Sequence, residues 1–386
     1  MSLGIFFGLT GLDSIYYVDS IPEENYKIKT HDYKSFIGGP AANAAITFSL
    51  LGGQAILFTY LGNSRIATSI KEDLEHLYGI TVYDYSRSNT LLPPMSTIVV
   101  NNKNASRTIY SGQPDKLLIQ QSVEQKKLYE DTDFFFTDSN LPELTIPILK
   151  YIQQYNKPII LDLGSWKKNS LEAISLSNEI IASNNCRFTE NNEDIFSIQE
   201  NLNTSLIAIT NGENNIIFSE NKDINYISPP KTIAKDTLAA GDIFHGAYCF
   251  YRFNLNYNFK ESLIHASYIA AESVKFIGPR EGVIKYTEVN LYQKRRNIMT
   301  NEIARKIASL LNDRGFVLDE EIKNLPISYT KFPEWVKEHE KLIREEGYQG
   351  GQLQIWTTRF DGPGCAYGII DIENTPNRSY IESFCK

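Results

Sequence analysis

Cysteine is scarce in this chain, with 4 among 386 residues, and Cys186, Cys249, Cys365 and Cys385 form no C-x-x-C pair. A disulfide framework and a structural zinc are not expected on this pattern, and a reduced, cytoplasmic protein is. Histidine is equally sparse: His31, His76, His265 and His339 share no spacing with cysteines or carboxylates that suits a metal, so no protein-ligated metal site is expected. Apolar runs are short. None approaches the roughly 18 residues of a membrane-spanning helix, and no charged stretch leads into a long apolar one near residue 1, so neither membrane insertion nor secretion is expected. Blocks of basic residues are missing as well. With 38 Lys and Arg against 46 Asp and Glu, the net charge of -8 argues against nucleic acid or a membrane surface as partner, because no cluster supplies counterion-releasing contacts. The length suits a large α/β domain joined to something smaller.

The informative residues lie in two short segments. Asp236-Thr237-Leu238-Ala239-Ala240-Gly241-Asp242 holds small residues between two aspartates and leads directly into the apolar, helix-like Ile243-Phe244-His245-Gly246-Ala247-Tyr248. Two readings fit it. One is an ordinary N-cap followed by a small-residue turn. The other is an anion cradle, in which the bare backbone of 239 to 241 turns its N–H groups toward a phosphate at a helix N-terminus, aided by the helix dipole. A carboxylate at 242 beside that phosphate has a chemical purpose: it takes the proton of an attacking hydroxyl. His245 is expected as a satisfied histidine on the helix face. The second segment, Gly38-Gly39-Pro40-Ala41-Ala42-Asn43-Ala44-Ala45, again sets glycines at a helix entry, with an amide one turn inside. It reads either as a cap or as a clamp, since paired glycines admit a ligand to the backbone and Asn43 both donates to and accepts from sugar hydroxyls.

Around these segments, Ile5-Phe7, Ala55-Tyr60, Asp133-Thr137, Pro158-Asp162, Ile180-Ser183, Leu206-Thr210 and Ile216-Ser219 read as buried strands. Helical spacing fills the intervals at Ala41-Leu51, Ile66-Tyr78, Leu144-Tyr155 and Phe259-Phe276. The alternation predicts an α/β fold with a mostly parallel central sheet covered by helices on both faces. Ligands of such sheets bind beyond the carboxyl ends of the strands, a rim that carries Asp13, Asp138, Asp162 and Thr210. A turn or cap aspartate explains Asp138 and Asp162 equally well. Ser14-Val18, His31-Phe36, Ser96-Val100 and Arg107-Tyr110 interrupt the rhythm as short alternating runs, which predicts a small separate sheet with one wet face.

The two glycine segments, in this order, resemble the paired signatures of the ribokinase-like (PfkB) carbohydrate kinases, and the resemblance extends over residues of about 4 to 290. It implies that Asp13, Gly38, Gly39 and Asn43 bind a sugar, and its place on the rim makes Asp138 a further candidate. It implies that Arg107, in Ser106-Arg107-Thr108-Ile109, reaches substrate or phosphate from a lid formed by the small sheet (about 14–36 and 95–111). Thr210-Asn211-Gly212 and Gly278-Pro279-Arg280-Glu281-Gly282 correspond to segments that hold ATP. Asp242 would be the general base and the backbone of Ala239, Ala240 and Gly241 the anion hole, with Mg²⁺ arriving on ATP and a monovalent cation such as K⁺ beside Asp236. The lid is also where two subunits of such kinases meet, so a homodimer through it is expected. The acceptor is expected to be a free sugar of ketohexose type, from a ketohexokinase-like branch; a nucleoside or sugar phosphate, or a sensor with a weakened site, are the alternatives. Three departures stand out. Ala239 replaces a glycine and would be strained at positive φ. The Asn-x-x-Glu motif that organises Mg²⁺ has no clear counterpart beyond Glu190 and Asn191-Asn192-Glu193-Asp194. Gly62-Asn63-Ser64 replaces a common Gly-Asp pair.

The kinase domain is expected over residues 1–292. Residues 293–386 read as an α+β appendage of unknown function, with helices at Arg295-Leu311 and Pro333-Glu346 and β-runs at Gln352-Phe360 and Cys365-Ile372 around a turn at Asp361-Gly364.

Overall fold

The computed structural model describes residues 1–86, 92–103, 107–112, 126–167, 169–186, 196, 206–314, 316–317, 321, 325, 332–351, 353–357 and 367–371. Glu190, the run 191–194, Ser106, Phe360, Cys365, Cys385 and the turn 361–364 lie outside them. Contacts divide the chain into two compact units, Met1–Thr287 and Glu288–Lys386.

In the first unit the strands in chain order are β1 (Leu3–Phe7), β2 (Gly11–Val18), β3 (Asp32–Gly38), β4 (Gln54–Thr59), β5 (Thr81–Asp84), β6 (Met95–Asn101), β7 (Arg107–Gly112), β8 (Phe134–Thr137), β9 (Ile159–Leu163), β10 (Glu179–Ser183), β11 (Leu206–Asn211), β12 (Asn214–Glu220) and β13 (Asp223–Ile227). Nine form one sheet in the order β13-β12-β11-β10-β9-β8-β1-β4-β5. From β11 to β5 all neighbours are parallel, and the β12-β13 hairpin closes one edge antiparallel. Buried on both faces, these strands need apolar residues at every position rather than alternate ones, which is what Phe134-Phe135-Phe136 and Ile159-Ile160-Leu161 supply. One core cluster, with Phe6, Phe48, Leu57, Phe136 and Tyr248, includes the helices Pro40–Leu50 and Ala240–Cys249. The other holds Phe7, Phe58, Leu149 and Leu161 and includes Pro142–Ile152.

Strand β1 has β4 on one side and β8 on the other, so the chain leaves β1 outward and later returns to its opposite flank. A crevice must open above such a switch point, and sequence order thereby fixes where a ligand binds. Strands β2, β3, β6 and β7 form a separate four-stranded sheet in the order β3-β2-β6-β7. Its Ile15, Tyr17 and Ile98 point inward with Phe36 and Val100, whereas Tyr16 points outward and stacks on Tyr33.

The second unit contains a three-stranded antiparallel sheet, β14 (Phe316–Val317), β16 (Tyr367–Asp371) and β15 (Leu353–Thr357) in that order, and the helix Phe332–Glu345. Its core gathers Ile303, Ile307, Leu311, Val317, Val336 and Ile343. The division at 287/288 falls inside one continuous helix, Glu281–Arg314, where the sequence placed a border at 292/293 between separate elements.

Candidate active site

The two glycine segments meet because their helices approach unusually closely. A Cβ on Gly246 would lie 2.3 Å from the Ala44 carbonyl oxygen and 2.7 Å from the Thr47 Cβ, so only glycine lets the Ala240–Cys249 helix lie against the Pro40–Leu50 helix. This brings Asn43 to Asp242: Asn43 Nδ2 donates to Asp242 Oδ2 at 2.6 Å across 199 residues of sequence. Gly39, the residue before the first helix, has φ of 95°, and a Cβ there would lie 2.2 Å from the Leu9 carbonyl oxygen. Gly38 lies beneath Asp13, whose carboxylate would be 2.2 Å from a Cβ at that position. Burial raises the Asp13 pKa, while a bond from Ser96 and the charge of Arg280 pull it down.

Asp242 is in the first turn of its helix, where N–H groups have no intrahelical acceptor. Ala240 N–H donates to the Thr237 carbonyl at 3.3 Å, and a Cβ on Gly241 would meet nothing within 4 Å. Open space therefore faces that turn. Burial raises the Asp242 pKa to about 7, with the charge of Asp162 adding to the rise, and the bond from Asn43 and the nearby His245 opposing it. Asp162 itself is pushed up to about 8 by burial and then by Asp138. His245 is buried with Nδ1 2.7 Å from the Gly241 carbonyl and Nε2 3.4 Å from that of Ile181; burial lowers its pKa, against the charge of Asp242 and the two carbonyls.

Ala239 has φ 57° and ψ 15°, the left-handed conformation in which a methyl is strained. The departure noted in the sequence thus falls on the residue with the greatest conformational demand. An alanine in this region costs about 1 to 2 kcal/mol, partly offset by glycine's larger unfolded-state entropy. Ala239→Gly is expected to stabilise the protein by roughly 0.5 kcal/mol or more, read as a higher urea midpoint at unchanged slope. A lower midpoint would refute the strain.

A cavity of about 300 Å³ adjoins the helix start, lined by apolar Ile216, Pro229, Phe244 and Val274 together with Thr210, Gly212, Thr237 and Ala240. The four-stranded sheet touches the same loop: Arg107 Nη2 donates to Thr237 Oγ1 at 2.7 Å, and Leu238 packs on Ile15, Tyr17 and Ile98.

Three expected residues have other roles. Asp138 is no open sugar ligand: its Oδ2 accepts from Leu9 N–H at 2.9 Å and Ala41 N–H at 3.0 Å, and its Oδ1 from Asn140 N–H at 2.8 Å. It ties the ends of β1 and β8 to the first glycine helix, a strand-end cap. Asp236 accepts from Leu238 N–H and Gly278 N–H, each at 2.9 Å, so its carboxylate closes the loop. Gly278 does not line this cavity; with φ of 86°, its missing side chain leaves room for the Phe36 ring, 2.5 Å from where a Cβ would be. Ser64 of the Gly62-Asn63-Ser64 loop caps its helix by accepting from Ala67 N–H at 3.2 Å. One residue named only as part of the segment 278–282 stands out: Arg280, 5 % exposed, whose Nη2 donates to Asn43 Oδ1 at 2.6 Å. Its only signal was a charged residue flanked by turn formers.

A helix N-terminus facing open space, an apolar cavity beside it and a carboxylate bonded to the first glycine segment sit together on a ribokinase-like fold. The model of the pfkB family of carbohydrate kinases matches residues 1–285, and the chain belongs to that family. It is 26% identical over 316 residues to a ribokinase from Dictyostelium discoideum, covering 73% of this chain and 98% of that one. A 102-residue stretch is 32% identical to mouse ketohexokinase but spans 34% of that protein and 26% of this one, so similarity over the full kinase length lies with ribokinases rather than with the ketohexokinase branch. A putative ribokinase structure from Agrobacterium tumefaciens superimposes with a TM-score of 0.65 at 23% identity, over 76% of this chain and 99% of that one. The Arabidopsis thaliana ribokinase complexed with ribose and ATP gives 0.56 at 16% identity, over 74% and 98%. Among the described residues, no helix is long and apolar enough to cross a membrane.

Proposed function

We propose that this carbohydrate kinase transfers the γ-phosphoryl group of ATP to a hydroxyl of a free sugar, with Asp242 as general base. The observation that carries the proposal is the 2.6 Å bond from Asn43 to Asp242, which joins the sugar segment to the anion segment in one crevice. A carboxylate with a pKa of about 7 is matched to taking a proton near neutral pH. The N–H groups of the helix start, Gly241 foremost, would face the charge on the phosphoryl oxygens. Triphosphate fits here, because the apolar cavity for a base ends at Thr237 and Ala240. Among the described residues no group of three His, Cys, Asp or Glu side chains is set to hold a metal ion, so Mg²⁺ would come with ATP, held by phosphate and water. Its charge would neutralise the phosphates. Arg107, which donates to Thr237 beside the helix start, would do the same while a lid formed by the small sheet would exclude water.

Asp13 and the remaining amide hydrogen of Asn43 are the polar groups offered to the acceptor. A sugar phosphate would need free cations, yet Arg280 already donates to Ile37 and Asn43, and Lys27 and Lys29 are exposed on the 19–31 connection. The full-length similarity to a ribokinase makes ribose the first acceptor to test and a ketohexose the second. ATP consumption is expected with a free sugar and not with sugar phosphates or nucleosides. Preferred turnover of a phosphorylated acceptor would overturn the free-sugar reading; ATP or sugar binding with no turnover of any acceptor would make the protein a sensor.

A further inference from the structure

Behind the base lies a buried cation with no assigned role. Arg280 precedes the helix Glu281–Arg314; its Nη2 donates to the Ile37 carbonyl at 2.7 Å and to Asn43 Oδ1 at 2.6 Å, and its Nη1 to the Pro279 carbonyl at 3.3 Å. A guanidinium can only donate, so the end of the Asn43 amide that meets it must be the oxygen. The nitrogen is then forced toward Asp242 Oδ2, 2.6 Å away. A side-chain amide is otherwise close to symmetric in shape and turns over at little steric cost. Turned over, this one would set N–H against guanidinium and oxygen against carboxylate, two repulsive contacts between buried groups.

We propose that Arg280 is a positioning residue for phosphoryl transfer: it locks the Asn43 amide so that Asn43 donates to Asp242 Oδ2 and Oδ1 is left to take the proton of the acceptor hydroxyl. The proposal rests on Asp242 being the base. The groups that act on Asp242 are Asp162 at the end of β9, His245 on its own helix, Asp138 after β8 and Asn43. Those acting on Arg280 are Tyr78, Asp242 and Asp13. Arg280 is thus linked to the base through Asn43, and its charge favours the ionised form of Asp13.

The test is the pH dependence of kcat/KM for the sugar, which reports ionisations of the enzyme before the sugar binds. Without Arg280 the amide is free to withdraw its donor, so Arg280→Met is expected to move the acidic limb to higher pH by about one unit and to lower kcat, with KM for ATP little changed. Asn43→Ala should move the limb equally, and the double variant no further than either single change. Arg280→Lys, which keeps a buried donor and the charge, should stay nearer the wild type. An unmoved limb in Arg280→Met, or shifts that add in the double variant, would overturn the proposal. Where Arg280→Met fails to fold, Asn43→Asp decides: it offers Asp242 an acceptor in place of a donor, so the limb must rise, and an unmoved limb overturns the lock. Asp242→Asn separates the two ideas. If it retains turnover within a few fold, the base assignment falls and the lock with it; if it is inactive while Arg280→Met is unshifted, only the lock falls.

Discussion

Asp242→Asn is expected to lower sugar phosphorylation by about a thousandfold while ATP still binds, because general-base catalysis contributes on that order and the cavity does not involve the carboxylate. The same substitution should stabilise the fold at alkaline pH. Burial raises the Asp242 pKa from 3.8 to about 7, so between those values the folded protein binds more protons than the unfolded one. Stability from this group is therefore complete below about pH 4 and is lost as pH rises through 7. At pH 8 the wild type holds a buried charge that asparagine lacks, while Asn43 keeps an acceptor in the new amide. Melting at pH 8 should rise by roughly 3 °C or more in the variant, and the difference should shrink toward pH 5. An inactive variant that melts lower at pH 8 would mean that the carboxylate is structural.

Gly246→Ala is expected to cost about 3 kcal/mol, at the upper end for overpacking, because the new methyl meets a carbonyl oxygen at 2.3 Å rather than a pliable side chain. The two glycine-segment helices must separate or tilt, which lengthens the Asn43 to Asp242 bond. Loss of activity should thus exceed what the unfolded fraction explains, measured by urea unfolding alongside kcat at a temperature where the variant is folded. An unchanged urea midpoint with full activity would show that the close crossing is not what aligns the site.

These expectations trace the extent to which sequence carries the structure. The central strands were legible because burial on both faces demands unbroken apolar runs, as in Phe134-Phe135-Phe136. β5 and β13 were not, since Thr81–Asp84 and Asp223–Ile227 are short edge strands, and the latter is exposed at four of five positions. The strands of the small four-stranded sheet stood out by alternation, Ile15 and Tyr17 against Ser14 and Tyr16. Within the site, the demand at position 239 was readable as a glycine position filled by alanine, and φ 57° is the conformation that makes it matter. Sequence left Asp138 and Asp236 open between cap and ligand because strand ends and loops use carboxylates for backbone N–H groups as readily as for ligands, and only three-dimensional proximity reveals the donors from Leu9, Ala41 and Gly278. The contact of Arg280 with Asn43 was invisible for the same reason, since the two are 237 residues apart. The border at 292/293 followed where resemblance ended, but a helix continues as long as its hydrogen bonds do, and this one runs to Arg314.

The most direct measurement of the central claim is kcat/KM for the sugar as a function of pH in the wild-type enzyme. With Asp242 as the base, the rate should climb as one proton is lost with an apparent pKa near 7 and level off above it. A rate already at its plateau at about pH 5, close to where an ordinary carboxylate would have ionised, would contradict the account.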